Sequence, residues 1–185
     1  MTSRRQQILT TAAELFAQRG FHGVSVADLG AACGISGPAL YKHFPSKQAM
    51  LSEMLVSISE ELLSVGTARA TAASGPAEAL RALVEWHTDF ALHNKPLIVV
   101  QDRDWDSLPD EARNKVRALQ NAYVDLWATE LRAVWPELSL STARAKAHAA
   151  FGLLNSTPRI SGLAEDDLSA TLQSMALAAL GNLTP

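Results

Sequence analysis

A phenol and an ammonium stand side by side at Tyr41 and Lys42, and a second ammonium follows at Lys47. Two guanidiniums, Arg4 and Arg5, open the chain. Groups of this kind, close together in a short stretch, suit nucleic-acid chemistry: phosphates for position, base edges for sequence. Tyr41 fits a backbone phosphate, and Lys42 is the base-edge candidate through guanine acceptors. Lys47 falls in the first turn of a predicted helix, where a positive charge opposes the helix dipole and needs another reason, a phosphate being one. Gly37, Pro38 and Ala39 are small enough for close approach to thymine methyls, Ser25 and Ser36 cap helices whose amide ends can face phosphate, and Arg4 with Arg5 could form an arm along the neighbouring groove. Lys42 and Lys47 taken alone would read as plain solvated charges, and Phe44 reads as a core aromatic.

Other chemistries find less support. His87 and His93 are six residues apart, which does not put them on adjacent helical turns, and no cysteine or histidine joins them at ligand spacing. Asp102, Asp104, Asp106 and Asp110 lack the glycine and closing glutamate of a calcium loop. Ser156 and Thr157 near His148 are too generic to form a nucleophile and base, and Cys33 reads as a small buried hydrophobe. No metal and no cofactor are expected. An all-helical enzyme acting on an apolar small molecule stays as the alternative function.

The elements that must position these groups are helices. Sustained period-2 alternation is absent, and the apolar fraction of 48% is globular. Predicted helices cover Arg4 to Arg19, Val26 to Cys33, a short segment from Ser36 to near His43, a long run from Ser46, a stretch from Pro76 to about His93, and a short piece after Pro96. A polar turn from Asp102 to Pro109 precedes helices from Asp110 to Val134, Leu140 to Asn155, and one ending near Leu180, about nine in all. Ser3 with Gln6 and Ser25 with Asp28 have capping-box spacing, and Gly20 and Gly34 stop the first two helices. Val26, Leu29, Ala32 and Ile35 are expected to pack inward against Leu40 and Phe44. Two short helices joined by Gly34-Ile35-Ser36 make a helix-turn-helix whose second helix would enter the major groove.

Charge divides the same way. Residues 1–50 carry five basic against two acidic residues, net +3, and the remainder eleven against seventeen, net −6. A basic head on an acidic body approaches phosphate by one end. One cysteine allows no internal disulfide, no signal peptide or membrane span is visible, and a cytoplasmic setting is expected.

The run ILTTAAELFAQRGFHGVSVADLGAACGISGPALYKHFPSKQAML, Ile8 to Leu51, resembles the N-terminal domain of the tetracycline-repressor (TetR) family. Ala12-Ala13, Leu15-Phe16, Gly20-Phe21, Ser25-Val26, Asp28-Leu29, Gly34-Ile35-Ser36, Leu40-Tyr41, His43-Phe44 and Lys47 sit where the family pattern expects them, while Gly30 replaces a more usual alanine. The resemblance supports phosphate roles for Tyr41 and Lys47. It implies a head over residues 1–46 and a ligand-binding and dimerisation body over residues 47–185. It also implies a small-molecule pocket enclosed by the helices between Ser46 and Val134. Candidate lining residues are Met54, Ile58, Trp86, Phe90, Ile98, Gln101, Tyr123, Trp127 and Asn155, with Gln101, Arg103 and Trp105 at an entrance and Arg103 facing an anionic group; the aromatic stripes also fit plain core.

One head contacts too few bases for useful specificity, so a homodimer on a palindromic double-stranded operator is expected. The last two helices offer Ala147, Ala150, Phe151, Leu154, Leu168, Leu172, Met175 and Ala179 as its interface, as the resemblance also implies, though stripes like these equally pack inside one subunit. The expected function is a repressor released from DNA by a small apolar or amphipathic effector.

Overall fold

The computed structural model describes residues 3–181, and among these every regular element is helical. Nine α-helices follow in order: α1 Arg4–Arg19, α2 Val26–Cys33, α3 Gly37–Tyr41, α4 Lys47–Ala72, α5 Pro76–His93, α6 Lys95–Asp104, α7 Asp110–Val134, α8 Leu140–Leu154 and α9 Glu165–Leu180. Short 3-10 turns lie at Trp105–Ser107 and Thr157–Arg159.

Local chemistry fixes the first boundaries. The Ser3 hydroxyl accepts the Gln6 N–H at 3.2 Å, and Gly20 ends α1 with φ 80°. Ser25 and Asp28 close a reciprocal capping box on α2. Gly34 takes the left-handed conformation, φ 64°, so that the Ile35 N–H reaches back to the Gly30 carbonyl at 2.9 Å. That reversal sends the chain from α2 into α3 without stranding the last carbonyls of α2.

The chain resolves into two compact units that do not follow the linear boundary at residue 46. One comprises the chain up to Ile58 together with Pro96–Val116; the other comprises Ser59–Lys95 and the chain from Arg117 onward. α4 and α7 each contribute to both units. The first unit encloses Ile8, Phe16, Leu29, Phe44, Met50, Leu51 and Leu55, with Val100 from α6 and Val116 from α7. Each such side chain contributes about 1.5–3 kcal/mol of burial. The second unit centres on Leu80, Leu83, Trp127 and Leu131, packed with Ala143, Ala147, Ala150 and Leu154 of α8 and Leu168, Leu172, Ala176 and Leu180 of α9. Small side chains at helical spacing let α8 and α9 approach closely.

Two details of the head differ from the sequence expectation. Ala32 faces solvent, and Gly30 is the buried position on α2 instead. A Cβ on Gly30 would meet the Ile35 carbonyl oxygen at 2.8 Å, so the glycine is what lets α2 lie against its own turn. α6 also runs on through Asp104, where a polar turn was expected from Asp102. Its last two residues, Arg103 and Asp104, make tertiary contacts that hold them helical.

Candidate functional site

The exposed side of the helix-turn-helix is α3. Tyr41 is 53% exposed, Lys42 and Pro38 are exposed, and Gly37 and Ala39 are half-buried, so their small side chains leave a low surface before the phenol and ammonium. Leu40 and Phe44 turn inward and seat this helix on the core. Ser36 accepts the Ala39 N–H at 3.3 Å and serves as the cap of α3. Pro38, Tyr41 and Lys42 are thus exposed at α3, while Gly37 lies toward Val26 of α2.

The remaining predicted phosphate groups are engaged elsewhere. Lys47 turns inward: its Nζ donates to the carbonyls of Phe21 at 2.9 Å and Val24 at 2.5 Å and lies 4.6 Å from the centre of the Phe21 ring. Those carbonyls supply the reason for a cation in the first turn of α4. Arg4 and Arg5 form no arm, because both lie in the first turn of α1. Arg4 donates to the Cys33 carbonyl at 2.6 Å and to Gln7 at 3.2 Å. Arg5 pairs with Glu53, donates to the His43 carbonyl, and lies 4.0 Å over the Phe44 ring. Ser25 spends both its N–H and its hydroxyl on Asp28, whose carboxyl these bonds hold below the usual range, so this cap presents an acid rather than a bare amide end.

A contact set invisible in the sequence grips the segment from Phe16 to Val24. Arg103 donates to the carbonyls of Phe16 and Ala17 at the end of α1, and the Asp104 carboxylate accepts the Phe21 N–H at 3.2 Å. Asp104 is 6% exposed and pairs with Arg103 at 3.2 Å. Arg103 is therefore a fastener of the head, not the anion-facing entrance residue that was expected. Its signal in the sequence, a charged pair beside an expected turn, looks like ordinary surface.

The pocket candidates divide between the units. Met54, Ile58, Ile98 and Gln101 belong to the first; Trp86, Phe90, Tyr123, Trp127 and Asn155 belong to the second. Met54 is buried within the head's own core. Trp86 is half-buried, donates its indole N–H to the Leu62 carbonyl at 3.2 Å and carries the Arg69 guanidinium 5.3 Å from its ring. Tyr123 and Trp127 meet, joined by His87 and Phe151, which sequence reasoning did not place there, and Phe90 reaches the group through His87. The rings of His87, Tyr123 and Phe151 lie within 21° of parallel at centroid separations of 4.7–5.8 Å. Trp127 stands nearly perpendicular to them. Asn155 Oδ1 lies 3.2 Å from His87 Nε2. Burial holds the His87 imidazole down to about 4 and pushes the Tyr123 phenol well up; the Trp127 indole opposes the latter without making a well-formed bond.

Six of the interface candidates are used inside the subunit: Ala147, Ala150, Leu154, Leu168 and Leu172 are buried in its own core, and Phe151 belongs to the ring cluster. Met175, 52% exposed, and Ala179 face outward. Beside them, the outer face of α8 presents Ala145, His148, Ala149 and Gly152, and that of α9 presents Ser174 and Ala178. The hydroxyls of Ser156 and Thr157 donate to the carbonyls of Leu153 and Ala91, so neither is poised for attack. Among the described residues no group of three His, Cys, Asp or Glu side chains could hold a metal ion, and no helix is long and apolar enough to cross a membrane.

Comparison with known proteins adds the lineage. Residues 8–54 match the family described as bacterial regulatory proteins, tetR family, and residues 73–159 match the tetracyclin repressor-like C-terminal domain. The chain belongs to the TetR family. The HTH-type transcriptional repressor KstR2 of Rhodococcus jostii (strain RHA1) is 31% identical over 136 residues, covering 72% of this chain and 62% of the relative, so the match spans under two thirds of that protein's length. A crystal structure of the TetR-family transcriptional regulator PfmR from Thermus thermophilus superposes with TM-score 0.80 at 29% identity, covering 93% of this chain and 97% of the other. AibR, solved in complex with isovaleryl coenzyme A and operator DNA, superposes with TM-score 0.73 at 20% identity, covering 94% and 97%; at that identity the likeness shows the fold.

Proposed function

We propose that this TetR-family chain is a DNA-binding transcriptional repressor, paired as a homodimer on a palindromic operator and released by a small apolar or amphipathic effector. The observation that carries the reading is α3: Tyr41 and Lys42 exposed beside the small residues Gly37, Pro38 and Ala39, on a helix-turn-helix where Lys47 and Arg4 are bound to backbone carbonyls. Family membership and the KstR2 relatives, named as repressors, support the same activity.

Pairing through α8 and α9 is supported by the small and apolar side chains that they expose, with Ala145, Ala149, Gly152, Met175, Ala178 and Ala179 replacing the buried residues as interface candidates. Effector control is supported by α4 and α7 being shared between the two units, and by AibR, whose complex holds both an acyl coenzyme A and DNA. An effector lowers DNA affinity by the ratio of its affinities for the two states of the protein.

Selection of bound duplexes from a random pool tests the activity. Enrichment of an inverted repeat with half-sites about 10 bp apart, or a multiple of that, is the expected result. Binding that shows no sequence preference at physiological salt is the result that removes the reading. Screening compounds for release of the selected duplex then tests effector control.

A further inference from the structure

Three polar atoms in the ring cluster of the second unit are buried without a hydrogen-bond partner: His87 Nδ1, the Tyr123 hydroxyl and Trp127 Nε1. All three residues are under 5% exposed, and their rings touch one another. Buried polar atoms in proteins are nearly always paired; the Trp127 indole acts on the Tyr123 phenol without forming an aligned bond, so three such atoms on touching rings point to a missing partner. We propose that the His87–Tyr123–Trp127 cluster is the polar end of an effector site and takes an uncharged oxygen function, a hydroxyl or a carbonyl, carried on an apolar small molecule. This rests on the effector-controlled reading above and names the chemistry of the ligand.

The donor and acceptor inventory sets the class. An indole N–H only donates, and a phenol both donates and accepts. The His87 Nε2 faces the Asn155 amide oxygen, which only accepts, so Nε2 carries the proton. The buried ring is neutral, and Nδ1 is left as an acceptor. The cluster thus offers donors to an oxygen lone pair and acceptors to a hydroxyl proton. It offers no charge: its members are His87, Phe90, Tyr123, Trp127, Phe151 and Asn155. The Arg69 guanidinium, which acts weakly on Tyr123, is engaged with Glu85 at 3.9 Å and with the Trp86 ring. A carboxylate or phosphate inserted among these rings would be a buried charge without a counterion, the costliest arrangement available. The rings are also held in place. Gly66 of α4 lies against Tyr123 so closely that a Cβ there would meet Tyr123 Cε2 at 2.7 Å, which explains a glycine inside a long helix.

Matched probes on common skeletons test the proposal with the full chain: 2-naphthol, 2-acetylnaphthalene and 2-naphthoate, and decan-1-ol, decan-2-one and decanoate, read by calorimetric titration. At least one neutral probe is expected to bind about tenfold or more tighter than the carboxylate of its skeleton, and Tyr123→Phe is expected to weaken that probe about tenfold. A carboxylate that binds as well as its neutral counterparts, a panel with no neutral binder, or affinity unchanged in Tyr123→Phe each overturns the proposal. A second measurement needs no ligand. An orphan hydroxyl contributes nothing to the empty protein, so Tyr123→Phe is expected to melt no lower than the parent; a fall of several degrees shows that the hydroxyl already has a partner and also overturns it. If the parent binds its selected operator while these outcomes fail, the ligand class alone is lost; if it binds no operator, the function reading is lost as well.

Discussion

Around Phe21, charged side chains from two helices meet backbone groups: Lys47 and Arg103 on carbonyls, Asp104 on an N–H. Around Tyr123, three polar atoms on neighbouring rings meet none. The two regions are similarly enclosed, yet the first uses polar chemistry to hold a loop in one shape and the second leaves it unused. A head that must fit a groove gains from fixed backbone, because an ill-placed reading helix loses its contacts. A core that is to accept a ligand gains from donors and acceptors left open in a rigid ring frame.

The sharpest way to break the comparison is to remove the buried acid. Asp104→Ala leaves the Phe21 N–H without its acceptor and Arg103 without its neighbour, and is expected to cost about 3 kcal/mol in urea unfolding. A loss under about 1 kcal/mol would mean that the grip on the loop contributes little.

Acid should act mainly on the other region. The folded pKa of His87 is about 4 against an ordinary 6.5, so the unfolded chain takes up the proton first as pH falls. The contribution of this residue is fully present above about pH 6.5 and is lost as pH falls toward 4, about 3 kcal/mol over that window. Urea midpoints between pH 7 and 4 should fall steeply in the parent and less so in His87→Phe; parallel profiles would show that the imidazole is not the group titrating.

Lys47 separates fastening from DNA contact. Lys47→Met is expected to destabilise the fold by about 1–3 kcal/mol while leaving the salt dependence of operator binding unchanged. Loss of about one unit in the log–log salt slope would return Lys47 to the phosphate contacts. Lys42→Ala should do the reverse, the smallest effect on the fold: a melting temperature within about 1 °C of the parent, with binding weakened by about 1–3 kcal/mol at sites carrying the matching guanine. Equal weakening on every duplex, with a reduced slope, would assign Lys42 to phosphate instead.

Much of this protein was legible before any coordinates. Ser3, Ser25 and Gly34 mark helix ends through bonds to residues at most five positions away, so their roles are written locally. The exposure of Tyr41 and Lys42 was legible for the same reason, because a five-residue helix seated by Leu40, with Phe44 just beyond it, leaves few ways to point the rest. The partners of Lys47, Arg4 and Arg5 were not legible, because each side chain is long enough to turn either to solvent or to a carbonyl far along the chain. Arg4 reaches Cys33 and Lys47 reaches Phe21. The stripes of α8 and α9 fit either a surface between subunits or packing within one, and six of those positions fill the subunit itself. Periodicity reports that a face is apolar, not which neighbour covers it.

By itself, then, the chain of residues determined the helices, their caps, the helix-turn-helix and the face it turns outward, since these depend on backbone conformation and contacts within a few positions. Tertiary structure alone decided which cations are fasteners, that α6 belongs with the head, and that His87 and Phe151 join Tyr123 and Trp127 in one ring cluster. Those outcomes depend on which distant surfaces meet, and side chains of one type serve equally well as solvated charge, internal clasp or ring frame until that meeting is fixed.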